Sequence, residues 1–255
     1  MNLDYLNNLF TRKLLSDYST FLRTAHTIEG FLPGKNNFAL LDGCKRYQST
    51  IFRIQNTLTE TTEQIDHIRI YMGRYPFKRY YFEKGISQLE YLQYHTEALF
   101  HKVHTIQEIM KLLINEVYQL DLPERNCSFS ELAKKLEKKA APMVIYDNYT
   151  QAFANLVSLR HVNTHGGTIG DKERDEINIY DGLTLYKFEA KGYPMNREAR
   201  DLLPMRIIEY RIREYKKKRL KVVDQVIEEN ARLLKEFLSS LHPEYLRQVS
   251  LMQSK

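Results

Sequence analysis

The sequence contains few of the residues that break helices and few cysteines of the kind that form metal or redox centres. Its 255 residues include 10 glycines and 7 prolines, so long helices can run without interruption. The two cysteines, Cys44 and Cys127, lie far apart in the chain, which excludes a paired thiol motif of the redox or zinc-binding type. No apolar run approaches the length of a membrane-spanning helix, and tryptophan is absent. These absences favour a helical protein that has no membrane partner.

The residues that are present fit a folded chain with a substantial core. Hydrophobic residues make up 43% of the sequence and aromatic residues 12%, with 18 tyrosines and 12 phenylalanines. A chain of this length and composition is expected to bury a sizeable apolar core. Residues 1–5 lack the basic start and the apolar stretch of a signal peptide. Together with the low cysteine content, this predicts a cytoplasmic protein.

Apolar residues recur at intervals of three and four over most of the chain, which is the period of an α-helix. The clearest stripe covers residues 89–120, and others predict helices over about 3–28, 39–73 and 130–139. The short turn at 75–78 lets two of these helices pack antiparallel. We therefore predict an all-α fold, a bundle of long antiparallel helices. No repeat, linker or domain boundary interrupts it, so residues 1–255 are predicted to form a single domain.

One segment departs from the helical pattern. Residues 177–188 contain two β-prone runs on either side of Asp181 and Gly182. An Asp-Gly pair between such runs is a strong signal for a hairpin turn. The sequence therefore predicts a small β-hairpin insertion near residues 177–188.

A cation and two imidazoles occur together at the end of the helix predicted over about 142–165. The apolar stripe of that helix, continued by four residues, reaches Arg160. Two glycines then stop a six-residue motif, which consists of Arg160, His161, Val162, Asn163, Thr164 and His165. Arginine can hold a phosphate with two parallel hydrogen bonds at any physiological pH, and histidine can transfer a proton near pH 7. This pairing indicates phosphodiester chemistry without a metal ion.

Other interpretations of the motif stay open. On a continuous helix, Arg160 and His165 lie about 140° apart, so their convergence requires the helix to end near Thr164 or a second subunit to contribute. His161 and His165 have the spacing of two metal ligands on one helix, but no further ligand motif accompanies them. A histidine at a helix C-terminus is also stabilised by the helix dipole, which would give it a structural role. We predict neither a metal nor another cofactor.

The positive charge of the chain is concentrated in one C-terminal segment. Between Arg197 and Lys221 there are ten basic and four acidic residues, an excess equal to the net charge of +6 of the whole chain. This segment opens a long helix predicted over about 197–241. A basic helix can attract a polyanion, although a solvated face is the more common explanation of such a run. The residues that we expect to contact nucleic acid are Arg206, Arg213, Lys216, Lys217, Lys218 and Arg219.

The motif and its setting resemble the HEPN superfamily, helical proteins in which an arginine is followed by a histidine after four to six positions. The resemblance rests on Arg160, His161 and His165 at the end of a late helix. It implies metal-independent endonucleolytic cleavage of RNA where the motifs of two subunits face each other. Arg160 would hold the scissile phosphate and His165 would act as general acid or base. His161 and Asn163 would orient these groups.

The leading prediction is therefore a homodimeric RNA endonuclease or RNA-binding effector of a stress or defence system. A cognate antitoxin or regulatory protein is the further partner that the resemblance implies. The alternative is a catalytically silent helical scaffold that binds nucleic acid or protein through its basic C-terminal helix. The two hypotheses differ in whether Arg160 and His165 are needed to cleave RNA in excess EDTA.

Overall fold

The computed structural model describes residues 4–75, 78–159 and 171–254, and helices are the only regular secondary structure in these ranges. The all-α prediction is confirmed for them. Among the described helices, none combines the length and the apolar character needed to cross a bilayer. The α-helices are α1 (Leu9–Thr24), α2 (Gly43–Gly73), α3 (Lys78–Glu83), α4 (Gln88–Val117), α5 (Phe129–Lys135), α6 (Ala141–Ala152), α7 (154–159, as far as described), α8 (Lys172–Asp175), α9 (Leu183–Ala190), α10 (Arg197–Leu202) and α11 (Met205–Gln253).

The chain divides into two compact units. Unit 1 comprises Met1–Glu63, Val103–Ala154 and Glu228–Lys255. Unit 2 comprises Gln64–Lys102 and Asn155–Ile227. Helices α2, α4 and α11 each contribute residues to both units, because the divisions fall within them.

Unit 1 has an apolar core into which a few polar side chains are buried with partners. The hydroxyl of Tyr47 in α2 donates to the carbonyl oxygen of Val117, the last residue of α4, at 3.0 Å. Tyr149 of α6 is fully buried, and its hydroxyl donates to Oδ1 of Asn230 at 2.8 Å. Each phenol therefore keeps a hydrogen bond that compensates for its removal from water.

Unit 2 combines the end of α2, all of α3 and the start of α4 with α7 to α10 and the first half of α11. The ring centroids of Tyr71 and His95 are 5.2 Å apart, and those of Tyr75 and Tyr91 are 5.3 Å apart. Tyr71 lies in α2 and Tyr75 just after it, whereas their ring partners occur in the reverse order along α4. The two helices therefore run antiparallel in this unit, as the short turn at 75–78 predicts.

The predicted β-hairpin near residues 177–188 is wrong. Glu176–Tyr180 form a π-helical turn, and Leu183–Ala190 form α9. Ile177 is fully buried, whereas the side chain of Ile179 is 67% exposed. Two residues that are two positions apart share a face on a strand but lie on opposite sides of a helix. The observed burial therefore has the helical pattern.

Contacts with α11 and with the residues before it hold this segment. The guanidinium group of Arg211 donates to Glu176 at 2.9 Å and to Asp181 at 3.1 Å. Gly182 is the N-cap of α9 and has a φ of +81°. Its Cα lies next to the side chain of Leu203. The Asp-Gly pair does turn the chain, but it joins two helical segments. A local turn signal does not distinguish these two cases.

Replacing Gly182 by alanine is expected to lower the free energy of unfolding by about 2 kcal/mol, because positive φ and a close contact act together. A Cβ atom at this position would lie 2.7 Å from Cδ1 of Leu203. Gly85 is the matched control, since its φ is +74° and a Cβ there would meet nothing within 4 Å. Urea denaturation of Gly182→Ala and Gly85→Ala should separate the two contributions. Equal losses would mean that the Leu203 contact adds nothing.

Candidate functional site

The motif predicted to carry the chemistry belongs to residues 160–170, which lie between two described ranges. What the structure describes is both flanks of this segment. Leu159 precedes it at the end of the described part of α7, and Asp171 follows it directly before α8. The predicted site residues outside the described ranges are Arg160, His161, Asn163 and His165.

Both flanking residues line the same cavity of unit 2, which has a volume of about 220 Å³. Leu159 and Asp171 form part of its wall. The wall also contains Phe100 of α4, which is 3% exposed, and Tyr215 and Arg219 of α11. Because residues 160 and 170 are bonded to Leu159 and Asp171, the motif segment leaves from this cavity wall and returns to it.

Asp171 is the centre of a hydrogen-bonded network on this wall. Its Oδ1 accepts from the backbone N–H of Arg174 at 3.2 Å and so caps α8. Its Oδ2 accepts from the hydroxyl of Tyr215 at 2.7 Å and from Nη2 of Arg219 at 2.6 Å. The Arg219 guanidinium also lies over the Tyr215 ring, 4.8 Å from its centroid. One carboxylate thus fixes the start of α8 and two side chains of α11.

Burial sets the properties of these groups. Tyr215 is 1% exposed, and burial, with its hydrogen bond to Asp171, raises the pKa of the phenol. Its hydroxyl therefore stays protonated and donates. Nε of Arg219 is buried and has no hydrogen-bond partner among the described residues. A guanidinium N–H without an acceptor can still donate to an anion at this cavity, and such charge-assisted bonds are strong.

The six basic residues predicted to contact nucleic acid have different surroundings. Lys216 donates to the carbonyl oxygen of Gly73 at 2.7 Å. Arg206 and Arg213 are exposed, and their side chains make no hydrogen bond or ion pair in the part of the chain that the structure describes. The other three pair with carboxylates of the same unit, Lys217 with Glu214 at 2.6 Å, Lys218 with Glu173 at 2.8 Å and Arg219 with Asp171 at 2.6 Å.

The charge of the basic segment is therefore partly offset by acids from elsewhere in unit 2. Asp171, Glu173, Glu176 and Asp181 all pair with side chains of α11. A count along the sequence from Arg197 to Lys221 does not include these acids. Arg206 and Arg213 are the two predicted residues whose charge is most available to an external anion.

No group of three histidine, cysteine, aspartate or glutamate side chains in the described ranges has an arrangement that could hold a metal ion. His161 and His165 lie outside those ranges. The expected absence of a metal at the motif therefore stays a prediction.

Sequence reasoning missed the contribution of Asp171 and Tyr215. They are 44 residues apart, and no motif spacing connects a residue after a glycine-rich stretch with a tyrosine inside a long basic helix. The one available signal is local, since an aspartate just before a run of charged residues is a favourable helix N-cap. That signal predicts the start of α8 but not the network.

Comparison with known proteins shows the family to which the chain belongs. A model of the Cthe2314-like HEPN family matches residues 51–242, which is more than half of the chain. The matched range includes the motif and all the residues that line the cavity. No curated protein and no solved structure gives a significant match. The resemblance inferred from the sequence is thereby confirmed, and the chain belongs to the Cthe2314-like HEPN family.

Proposed function

We propose that this protein cleaves RNA without a metal ion and that Arg160 and His165 perform the reaction. The observation that carries the proposal is the common cavity of Leu159 and Asp171, since both ends of the motif segment are bonded to its wall. A second cation, Arg219, lies on that wall, and its Nε has no hydrogen-bond partner among the described residues. The proposal adds Arg160 and His165 to this cation, because positive groups stabilise the charge that develops on a phosphodiester in the transition state.

In this reaction, Arg160 holds the scissile phosphate through two parallel hydrogen bonds. The ribose 2′-hydroxyl attacks the phosphorus and loses its proton to a histidine, while the bond to the 5′-oxygen breaks and that oxygen gains a proton. The products are a 2′,3′-cyclic phosphate and a 5′-hydroxyl. His165 is the proposed acid or base, with His161 and Asn163 orienting the reacting groups.

A homodimer is part of the proposal, because one histidine cannot remove a proton and donate another at the same moment. Two copies of the motif facing each other supply two copies of His165, one as base and one as acid. This arrangement also removes the difficulty of the angular offset between Arg160 and His165 on one helix. The HEPN membership further suggests a cytoplasmic stress or defence role with a cognate antitoxin or regulatory protein.

Purified protein is expected to cleave a mixture of RNAs in excess EDTA and to leave 2′,3′-cyclic phosphate ends. Arg160→Ala should slow this cleavage by about 10²–10³-fold, because a donor that stabilises the developing charge is lost. Arg23→Ala is the matched control, since Arg23 is exposed in unit 1 and makes no ion pair within the described ranges. Cleavage that stops when metal is chelated would contradict the mechanism.

The scaffold alternative is favoured by Arg206 and Arg213, which are exposed and unpaired within the described ranges. It predicts binding without cleavage. If the wild type cuts no RNA while an Arg206→Glu and Arg213→Glu double variant loses RNA binding, the basic helix is a docking surface. The same assay therefore separates the two functions.

A further inference from the structure

The chain between α2 and α4 carries a high density of cations and aromatic rings. Residues 74–84, here named the aromatic–basic segment, contain four basic residues, one acidic residue and five aromatic residues. The basic residues are Arg74, Lys78, Arg79 and Lys84, and the aromatic residues are Tyr75, Phe77, Tyr80, Tyr81 and Phe82. Interleaving of these two kinds is typical of surfaces that bind single-stranded nucleic acid.

A cavity of about 460 Å³ lies against this segment in unit 2. This volume is within the range of about 300–1,000 Å³ that small-molecule sites occupy. Glu90 and Ile86 complete a wall that consists mostly of rings, namely Tyr71, Tyr81, Tyr91, Tyr94 and His95.

Several of these rings present area to the outside. Tyr94 is 69% exposed, and its ring meets His95 edge to face at 5.4 Å between centroids. Tyr71 is 48% exposed, and its ring is tilted relative to the His95 ring, with centroids 5.2 Å apart. Rings that contact their neighbours by an edge or at a tilt keep a face for another aromatic group.

The rings behind them are held in place. The hydroxyl of Tyr75 donates to the carbonyl oxygen of Ile86 at 2.5 Å, and its ring stacks on Tyr81 with centroids 5.3 Å apart. Burial, assisted by the Glu90 carboxylate, raises the pKa of Tyr75 to about 12. Burial also lowers the pKa of His95, which favours its neutral form. The rings of this wall are therefore uncharged at neutral pH, and the Glu90 carboxylate beside them pairs with Lys187 at 2.8 Å.

Cations lie on the aromatic–basic segment. The side chains of Lys78 and Arg79 are 81% and 93% exposed and pair with Glu209 at 3.9 Å and with Glu83 at 2.9 Å, and such exposed pairs are weak enough to exchange for a phosphate. Lys84 lies 5.8 Å from the centroid of the Tyr80 ring. The Nζ of Lys216 in the basic helix donates to the carbonyl oxygen of Gly73, directly before this segment. Exposed lysine and arginine beside open rings complement a ligand that has flat bases and a negative backbone.

We propose that this cavity stacks an unpaired base of a single-stranded RNA, with Lys78 and Arg79 against its phosphates. The inference deepens the proposed function, on which it rests, by naming the form of RNA that the protein takes. Bases in a duplex stack on each other and offer no free face, whereas those in a single strand can turn onto aromatic side chains. Tyr94 and Tyr71 are the residues expected to make the stack.

The test measures binding of a short 2′-O-methyl oligonucleotide by fluorescence anisotropy. This probe cannot be cleaved through a 2′-hydroxyl, so binding is read whether or not the protein is a nuclease. Tyr94→Ala should weaken binding by about 5- to 100-fold, as expected for the loss of one base–aromatic stack. Tyr94→Phe keeps the ring and should bind like the wild type. Tyr180→Ala is the matched control, since Tyr180 is 76% exposed and does not line the cavity.

The outcomes separate this inference from the proposed function. Stacking through Tyr94 without any RNA cleavage would support the inference and count against the nuclease. RNA cleavage by a protein whose oligonucleotide affinity is the same in Tyr94→Ala and Tyr180→Ala would overturn the inference alone. Equal affinity for duplex and single-stranded probes would also overturn it. Tyr94-dependent binding to anionic lipid vesicles, without oligonucleotide binding, would assign the surface to a membrane instead.

Discussion

His165→Ala is expected to slow RNA cleavage by about 10²–10⁴-fold, the usual contribution of a positioned general acid or base. RNA affinity should change little, because a histidine that moves a proton contributes less to phosphate binding than the neighbouring Arg160. The measurement is the single-turnover cleavage rate in excess EDTA, with the dissociation constant of a non-cleavable RNA determined in parallel. A large loss of rate at unchanged affinity would identify a residue that acts in the transition state.

The control for this prediction is another histidine that is replaced in the same way. His26 is exposed and lies in unit 1, so His26→Ala should cleave RNA at the wild-type rate. His161→Ala should have a smaller effect than His165→Ala if His161 only orients the reacting groups. A reversed order would move the acid–base role to His161. Full activity of His165→Ala would contradict the proposed mechanism.

The helical fold could be predicted from the sequence because the information for it is local. Apolar residues at intervals of three and four define the buried faces of α2, α4 and α11 without knowledge of their partners. The motif that identifies the superfamily is also local, since Arg160 and His165 are five positions apart. Both inferences needed no contact between distant parts of the chain.

The parts that could not be predicted depend on such contacts. The segment 177–188 has the turn residues of a hairpin, but Arg211, 30 and 35 residues away from its partners, binds Asp181 and Glu176 in a helical arrangement. The cavity beside the motif depends likewise on Asp171 meeting Arg219, which lies 48 residues further along the chain. Tertiary contacts also pair several cations of the basic segment with carboxylates from outside it. A charge count along the segment does not include these carboxylates.

The Asp171 network gives the second large prediction. Asp171→Ala is expected to lower the free energy of unfolding by about 2–3 kcal/mol, because three donors lose their acceptor and one of them, Tyr215, is buried. The loss stays moderate since Arg219 keeps a side-chain exposure of 27% and can reach water. Chemical denaturation of the wild type and the variant measures it.

Asp201→Ala is the matched control for Asp171→Ala. Asp201 lies in α10 of the same unit, is exposed and makes no ion pair within the described ranges, so its loss should change the free energy of unfolding by at most about 0.5 kcal/mol. An equal loss in both variants would mean that the network adds no stability.

The same variant tests whether the cavity belongs to the active site. Asp171 ends the segment that carries Arg160 and His165, so its loss should also misplace these residues, and small displacements of reacting groups slow catalysis strongly. Cleavage by Asp171→Ala should therefore fall at temperatures where the variant is fully folded, while Asp201→Ala stays active. If the folded Asp171→Ala protein cleaves RNA at the wild-type rate, the network stabilises the fold and has no part in the reaction. The chemistry would then depend on the motif alone, without the wall to which its segment is attached.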